Sequence, residues 1–599
     1  MKQITLSRIY RLFVKAHTPS RTVRPNLLLV FVLMLFVASI VIFPLAAAPA
    51  SAQTQIPETA DFWSDYPAEQ LADFLTARLS DEELLAQMFM FGWKWPEVGR
   101  ENDAEPTPLL NQWVTERGLG SVKVFGWNTD DVLQVARAIA YLQQESQSRR
   151  YKIPLFVATD QEGGWIRHVR GETTTTPGNM AIGASAYPMD AYYSAYYISR
   201  EIAALGINMN FAPTVDLYTD HKSSVIGPRS FGEDPQFVGE LGASFVAGSL
   251  AAGVIPTAKH FPGHGDTSAD SHGKAIEIRI DRKTLENREL VPFKYLIAEH
   301  VPAMMSAHLR FPLITGNEPA SLSKTFLTDI LRGELGYEGL IITDDMQMNG
   351  ATSYAMVSDA FTLAIEAGND IILSSETAGW NERLWTKNLN LMRTNTAFKQ
   401  TVQKAARRVI LYKLNYFRSA TAAPLYPDLN SIPSRIPDRE GQAFFLSQAC
   451  RSITAYKRGT ALPFKPTESE RILIAGHQEH PEFFEEAEKR FGKVARFPYK
   501  ADMGPYHGLW VHDNLIPLAR SYDTIIVCVD CQNNVDALRE LQYTGKRIVV
   551  MSIQSPVPAM EMTWADTVLF GYSYSPYTFK ALFAALCGDF DPQGELPLE

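Results

Sequence analysis

The stretch Pro256 to Gly273, PTAKHFPGHGDTSADSHG, concentrates the side chains that can move protons or bind ions. Three His, two Asp and one Lys fall within fifteen residues, a polarity no packed core strand tolerates. Pro262, Gly263 and Gly265 rule out one continuous helix, so the apolar run Leu250 to Thr257 reads as a strand opening into a polar loop. His260, His264 and His272, with Asp266 and Asp270, are of zinc-ligand type. However, Pro262 and Gly263 break the helical spacing that would set two imidazoles on one face. No metal or other cofactor is expected. Acid–base work fits better. In Asp270-Ser271-His272 the carboxylate can reach the imidazole two residues on, fixing its tautomer and stabilising the imidazolium. His272 then becomes a proton shuttle near neutral pH, although Asp-x-His by itself more often caps a loop.

Asp344 is the candidate nucleophile. Gly339-Leu-Ile-Ile-Thr-Asp-Asp-Met is a buried strand ending in two acids, of which Asp345 suits a helix cap and Asp344 a pocket.

The elements that must position these groups alternate in type. Strand candidates are Gln87 to Phe91, Ser121 to Phe125, Pro154 to Thr159, Met209 to Pro213, Val254 to Lys259, Pro302 to Ala307, Leu340 to Thr343 and Asp370 to Ser374. Helical stretches such as Asp130 to Gln147, Pro235 to Ala251 and Ser323 to Leu335 lie between them. Ser80 with Glu83 makes a capping box ahead of the first strand. Short buried strands alternating with helices predict a parallel (β/α)8 TIM-like barrel over residues 60–418. Asp160, Asp216, Lys259-His260, His308 and Asp344 fall at or just after strand ends, where barrels of this kind build their sites.

A proline-containing linker is expected over 419–440. A smaller α/β sandwich domain follows over 441–599, with strands near Ile472 to Ala475, Thr524 to Val529, Arg547 to Ile553 and Asp566 to Tyr572. It carries no GxGxxG or GxxxxGK[ST] pattern. Cys528 and Cys531 lack a second pair and sit at the end of an apolar strand, so they read as packing residues.

The chain has 599 residues, 46% of them hydrophobic and 20% charged, an ordinary globular composition. Six Lys/Arg and no acid stand in the first 24 residues, leaving −16 on the rest of a chain whose net charge is −10. That acidic body argues against a nucleic-acid partner. The 17 uncharged residues Leu27 to Phe43 and the small residues up to Ala52 have the layout of a secretory signal. They are nearly long enough for an uncleaved membrane anchor. Residues 1–52 are therefore expected to direct export to a periplasmic or extracellular location.

KHFPGHGDTSADSH, DQEGG (Asp160 to Gly164), PGNMAIGA (Pro177 to Ala184), NFAPTVDL (Asn210 to Leu217), RSFGEDP (Arg229 to Pro235) and ITDDM (Ile342 to Met346) occur in one order. Together they resemble glycoside hydrolase family 3, in particular its β-N-acetylglucosaminidase branch. The resemblance implies a carbohydrate substrate and a retaining mechanism without metal. Asp344 would attack the anomeric carbon, and His272, oriented by Asp270, would serve as acid and base. Asp160, Arg229, Lys259 and His260 would bind the hydroxyls and acetamide. The chain departs from the family at Trp165-Ile-Arg-His168, where Arg167 or Arg170 would have to replace a family arginine. Glu162 and Asp216 can equally be acids bracing the barrel rim, and His264 and His308 packing groups. The expected activity is removal of terminal β-linked N-acetylglucosamine from cell-wall or chitin fragments. The alternatives are a β-glucosidase or phosphorylase on the same scaffold, and a silent sugar-binding module.

Overall fold

The computed structural model describes residues 56–94, 105–223, 225–267, 276–501 and 504–599. The signal or anchor expected over 1–52, and Asp270 and His272, lie outside them.

Ser80 accepts from the Glu83 N–H and the Glu83 carboxylate answers the Ser80 N–H, starting the helix Asp81–Gln87 that feeds the first strand. Eight parallel strands follow: β1 (Phe89–Phe91), β2 (Ser121–Lys123), β3 (Phe156–Thr159), β4 (Met209–Asn210), β5 (Ile255–Phe261), β6 (Ala303–Ser306), β7 (Leu340–Thr343) and β8 (Ile372–Ser374). They pair in sequence order, β1 with β8, and the bridge Ile342 to Ile371 joins β7 to β8. The sheet thus closes on itself. Each strand matches one of the expected apolar runs: β7 has the expected bounds, β5 runs two residues further, to Phe261, and the other six are shorter than expected.

Side chains alternate across the wall with a period of two. Met90, Ala158, Met209, Ile255, Ala303, Met305, Ile342 and Leu373 pack together inside the barrel. Their neighbours Phe89, Phe91, Val157 and Ile372 pack outward under one set of helices. Ala258, Met304 and Ile341 do so under another. The strands are apolar on both faces because both faces are covered.

Residues 419–440 pack rather than float, with Ala423, Ile432 and Ile436 buried in the outer layer of the barrel. Beyond them lies a six-stranded sheet. Its strands are β9 (Thr454–Lys457), β10 (Ile472–His477), β11 (Ala495–Tyr499), β12 (Thr524–Val529), β13 (Arg547–Ser552) and β14 (Thr567–Phe570), in the order β9-β14-β13-β12-β10-β11. All pair in parallel except β9, which runs antiparallel to β14 at one edge. The two edge strands were not foreseen. β11 reads ARFPY, with only Phe497 and Tyr499 buried, so it carries no continuous apolar run. Cys528 is buried in the core of this sheet.

The end of the barrel opposite the site, where β7 and β8 begin, is held by Asp370. Its buried carboxylate takes an N–H from Ile341 at 2.8 Å, Arg332 at 2.7 Å and Arg408, tying β7 to two helical segments. Asp370→Ala strands two guanidinium groups and is expected to lower the unfolding free energy by about 3 kcal/mol, measured by urea unfolding. Asp370→Asn, which keeps an acceptor for Ile341, is expected to cost less.

Candidate active site

The inward register of the strands, continued past their C-terminal ends, selects the residues of the site. Two residues on from Ser121, Ala158, Thr257, Ala303, Ile342 and Leu373 stand Lys123, Asp160, Lys259, Met305, Asp344 and Ser375. All six line one cavity of about 450 Å³, together with Phe125, Trp127, Glu162, His168, Arg229, His260, His264 and Asp345.

Charge is balanced within this cavity by direct contact. The Lys259 ammonium sits 2.5 Å from Asp160 Oδ1 and 2.6 Å from Glu162 Oε1. Lys123 reaches the other Asp160 oxygen at 2.6 Å. Arg229 grips Glu162 with two prongs, Nη2 to Oε1 at 2.7 Å and Nε to Oε2 at 2.9 Å, the geometry that makes arginine pairs specific. Burial by itself would raise both acids. Lys123 and Lys259 hold Asp160 well below its ordinary value, and Arg229 and Lys259 bring Glu162 down to about 2. Burial likewise opposes the charge on Lys259, but Asp160 and Glu162 outweigh it and raise its pKa.

Asp216 organises the polar loop. It accepts the His264 N–H at 2.7 Å and the His260 N–H at 3.1 Å, and its Oδ2 lies 2.6 Å from His260 Nδ1. Burial opposes its charge, yet His260 and these N–H groups lower it to about 2. Gly265 passes so close to the Leu217 carbonyl that a Cβ would lie 1.4 Å from that oxygen. The chain can make this approach only without a side chain. His260 Nε2 faces the cavity beside Arg229, 3.4 Å from Nη2. His264 is buried, and neither ring nitrogen has a partner among the described residues. Burial, then the neighbouring His260, depresses it to about 4. Burial does the same to His168.

Asp344 ends β7 in this cavity. Its Oδ1 accepts the Asp345 N–H at 2.8 Å, and among the described residues Oδ2 takes no hydrogen bond. Burial opposes ionisation, but His260, His308, the Asp345 N–H and Lys259 outweigh it and hold the carboxyl below its ordinary value. A carboxylate kept ionised with one oxygen uncommitted can act as a nucleophile.

The structure brings five of the expected residues together: Asp160, Arg229, Lys259, His260 and Asp344. Glu162, expected to brace the rim, both braces and lines the cavity. Asp216 braces from beneath. His308 bonds Ser321 Oγ at 2.6 Å and the Asp345 carbonyl at 3.0 Å, a supporting role. Asp345 does not cap a helix, because the next one starts at Asn349. Its carboxylate instead accepts from the Gln347 and Ser375 N–H groups at 3.1 and 2.9 Å. Arg167 is spent on its own loop, bonding the Thr173 carbonyl at 2.5 Å. Lys123, His168 and Trp127 were missed. Lys123 left a signal, a lone cation in the apolar run SVKVF.

Residues 82–411 match the family model described as the glycosyl hydrolase family 3 N-terminal domain. A beta-hexosaminidase A from Pseudoalteromonas piscicida is 37% identical over 283 residues, covering 44% of this chain and 47% of the relative. The matched stretch thus spans about half of that relative's length. A beta-hexosaminidase from Nitrosomonas eutropha is 33% identical over 264 residues, 43% of this chain and 73% of the relative. Among solved structures, a family 3 beta-N-acetylglucosaminidase from Paenibacillus sp. str. FPU-7 superposes with a TM-score of 0.76. It is 27% identical, with 87% of this chain and 99% of that one covered. A beta-glucoside phosphorylase superposes at 0.74 with 21% identity, covering 89% of this chain and 96% of that one, a likeness of fold.

The buried groups set a pH dependence. His264 and His168 titrate near 4 in the fold against 6.5 ordinarily, so protonating them opposes folding as pH falls from 6.5 to 4. Glu162 and Asp216, depressed to about 2, lose their contribution from about pH 4.5 downwards. Glu289, raised by burial to about 7, acts in the opposite direction. Stability is expected to fall from pH 6.5 to 4, and His264→Gln to flatten that fall. Urea unfolding at both pH values measures it.

Proposed function

The chain belongs to glycosyl hydrolase family 3, and on that premise we propose that it is a retaining exo-β-N-acetylglucosaminidase. Its substrates in this reading are cell-wall or chitin-type fragments with a terminal β-linked N-acetylglucosamine. The observation that carries the proposal is Asp344, held below the ordinary carboxylate range with an oxygen that takes no hydrogen bond among the described residues, in the cavity that also presents Asp160, Lys259, Arg229 and His260. The names of the beta-hexosaminidase relatives support the choice of sugar.

In the first step Asp344 Oδ2 bonds to the anomeric carbon as the glycosidic C–O bond breaks. The leaving oxygen takes a proton from His272, a role assigned from the Asp270-Ser271-His272 motif. In the second step water gives a proton back to His272, its oxygen bonds to the anomeric carbon, and Asp344 is released. The acceptors Asp160 and Glu162 and the donors Lys259, Arg229 and His260 suit the ring hydroxyls and the acetamide. The basic, then apolar, then small-residue N-terminus supports export, with the mature chain periplasmic or extracellular.

The test is hydrolysis of an aryl β-N-acetylglucosaminide beside the matching β-glucoside, with and without phosphate. Selective cleavage of the N-acetyl substrate, independent of phosphate, is expected. Asp344→Asn should lower kcat by at least about 10³-fold, and His272→Ala should flatten the pH–rate profile as well as lower kcat. Preference for the glucoside, or a need for phosphate, would overturn the assignment.

A further inference from the structure

The second sheet has a topological switch of its own. Its order places β10 beside β12, although β11 lies between them in the chain. From β10 the chain leaves through the helix Pro481–Phe491, whose Phe483, Phe484 and Ala487 pack on one face of the sheet. From β12 it leaves through Gln532–Leu538, whose Val535, Ala537 and Leu538 pack on the other. The two connections part at the C-terminal ends of β10 and β12. The crevice opened there is where sheets of this kind bind ligands. His477 closes β10, and Asp530 stands one residue past β12.

His477 is fully buried. Its Nε2 lies 2.9 Å from Asn534 Oδ1, an oxygen that also accepts the Asp530 N–H at 3.1 Å. An amide oxygen only accepts, so Nε2 carries the proton and the neutral ring keeps a bare lone pair on Nδ1. Nδ1 is 3.8 Å from Asp530 Oδ2, beyond hydrogen-bonding reach. Among the described residues neither Nδ1 nor Asp530 Oδ1 has a hydrogen-bond partner. Two neighbouring acceptors buried without a donor cost free energy unless something positive serves both. The Asp530 side chain keeps 12% exposure, which gives the pair a solvent-facing edge.

Against the expectation drawn from the chain alone, we propose that His477 Nδ1 and the Asp530 carboxylate bind a divalent transition-metal ion at this switch point. An imidazole nitrogen beside a carboxylate suits ions such as zinc, whereas magnesium and calcium take oxygen ligands. Two donors each about 2.1 Å from one ion stand up to about 4.2 Å apart, so the 3.8 Å separation spans an ion as it is. The bond from Nε2–H to Asn534 is the contact that ligating histidines make with their second nitrogen, and it fixes the ring. No third His, Cys, Asp or Glu joins the pair among the described residues. Water therefore completes the shell, and the ion exchanges with chelators. Once bound, it ties the ends of β10 and β12 together and stabilises the fold by mass action. The catalytic cavity shares no residue with this site, so the inference does not rest on the hydrolase reading.

The test takes the whole chain, freed of metal with a chelator, and titrates it calorimetrically with Zn(II) and with Mg(II). Saturable binding of Zn(II) but not of Mg(II) is expected, together with an apparent melting temperature that rises with Zn(II) concentration. His477→Gln and Asp530→Asn should each weaken Zn(II) binding at least about tenfold and remove that rise, and Asn534→Ala should weaken it about tenfold. Asp530→Asn preserves the size of the side chain and decides the matter if His477→Gln does not fold. No saturable Zn(II) binding by wild type would overturn the site and leave water as the partner of both atoms. Undiminished binding in His477→Gln and Asp530→Asn would overturn it as well, and loss in His272→Ala would then place the ion on the polar loop of the barrel.

Discussion

The Lys259 ammonium, held between the carboxylates of Asp160 and Glu162, is the contact on which the site depends. Two buried acids two residues apart repel each other and resist desolvation, and they stay ionised only because cations lie within hydrogen-bonding distance. Arg229 and Lys123 complete the balance. Through these four ion pairs the loop after β3, the end of β5, the end of β2 and the turn Gly227–Arg229 become one unit. Removing any one partner leaves an uncompensated charge in the wall of the cavity.

The same economy of contacts shapes the loop beyond β5. Asp216, from the chain after β4, takes backbone N–H groups at both His260 and His264, so one carboxylate sets the path of the Pro-Gly turn between them. Gly263 and Gly265 let that turn lie against Glu289 and the Leu217 carbonyl, where a side chain would collide. The loop therefore leaves the barrel in a defined direction before it reaches the segment carrying Asp270 and His272.

Among the described residues, those that line the cavity fall between Lys123 and Ser375, and the second sheet supplies none of them. It packs against the barrel through Met180, Ala181, Ala184 and Tyr218. The Arg451–Asp190 and Arg200–Asp438 ion pairs add to that contact. Its role visible in the fold is support for the segments after β3 and β4, including the Tyr218 hydroxyl, which lies 3.2 Å from Ser555 Oγ.

Much of this was legible before folding. The alternation of short apolar runs with amphipathic ones predicts the closed barrel because strands covered on both faces must be apolar throughout. The ionisable residues at strand ends are conspicuous because charge is costly there unless used. Both signals are local, so Asp160, Lys259, His260 and Asp344 could be named from the chain alone. Arg229 came from its resemblance to a family motif. The edge strands β9 and β11 could not be read, because a half-exposed edge needs no apolar run. Tertiary structure alone decided which groups meet. Glu162 proved to be a partner of Lys259 and Arg229, 97 and 67 positions away along the chain. Asp345 proved to tie down Ser375, and Trp127 to line the cavity with Phe125. Such roles depend on distances between strands remote in sequence, which closure of the barrel determines and local composition does not encode.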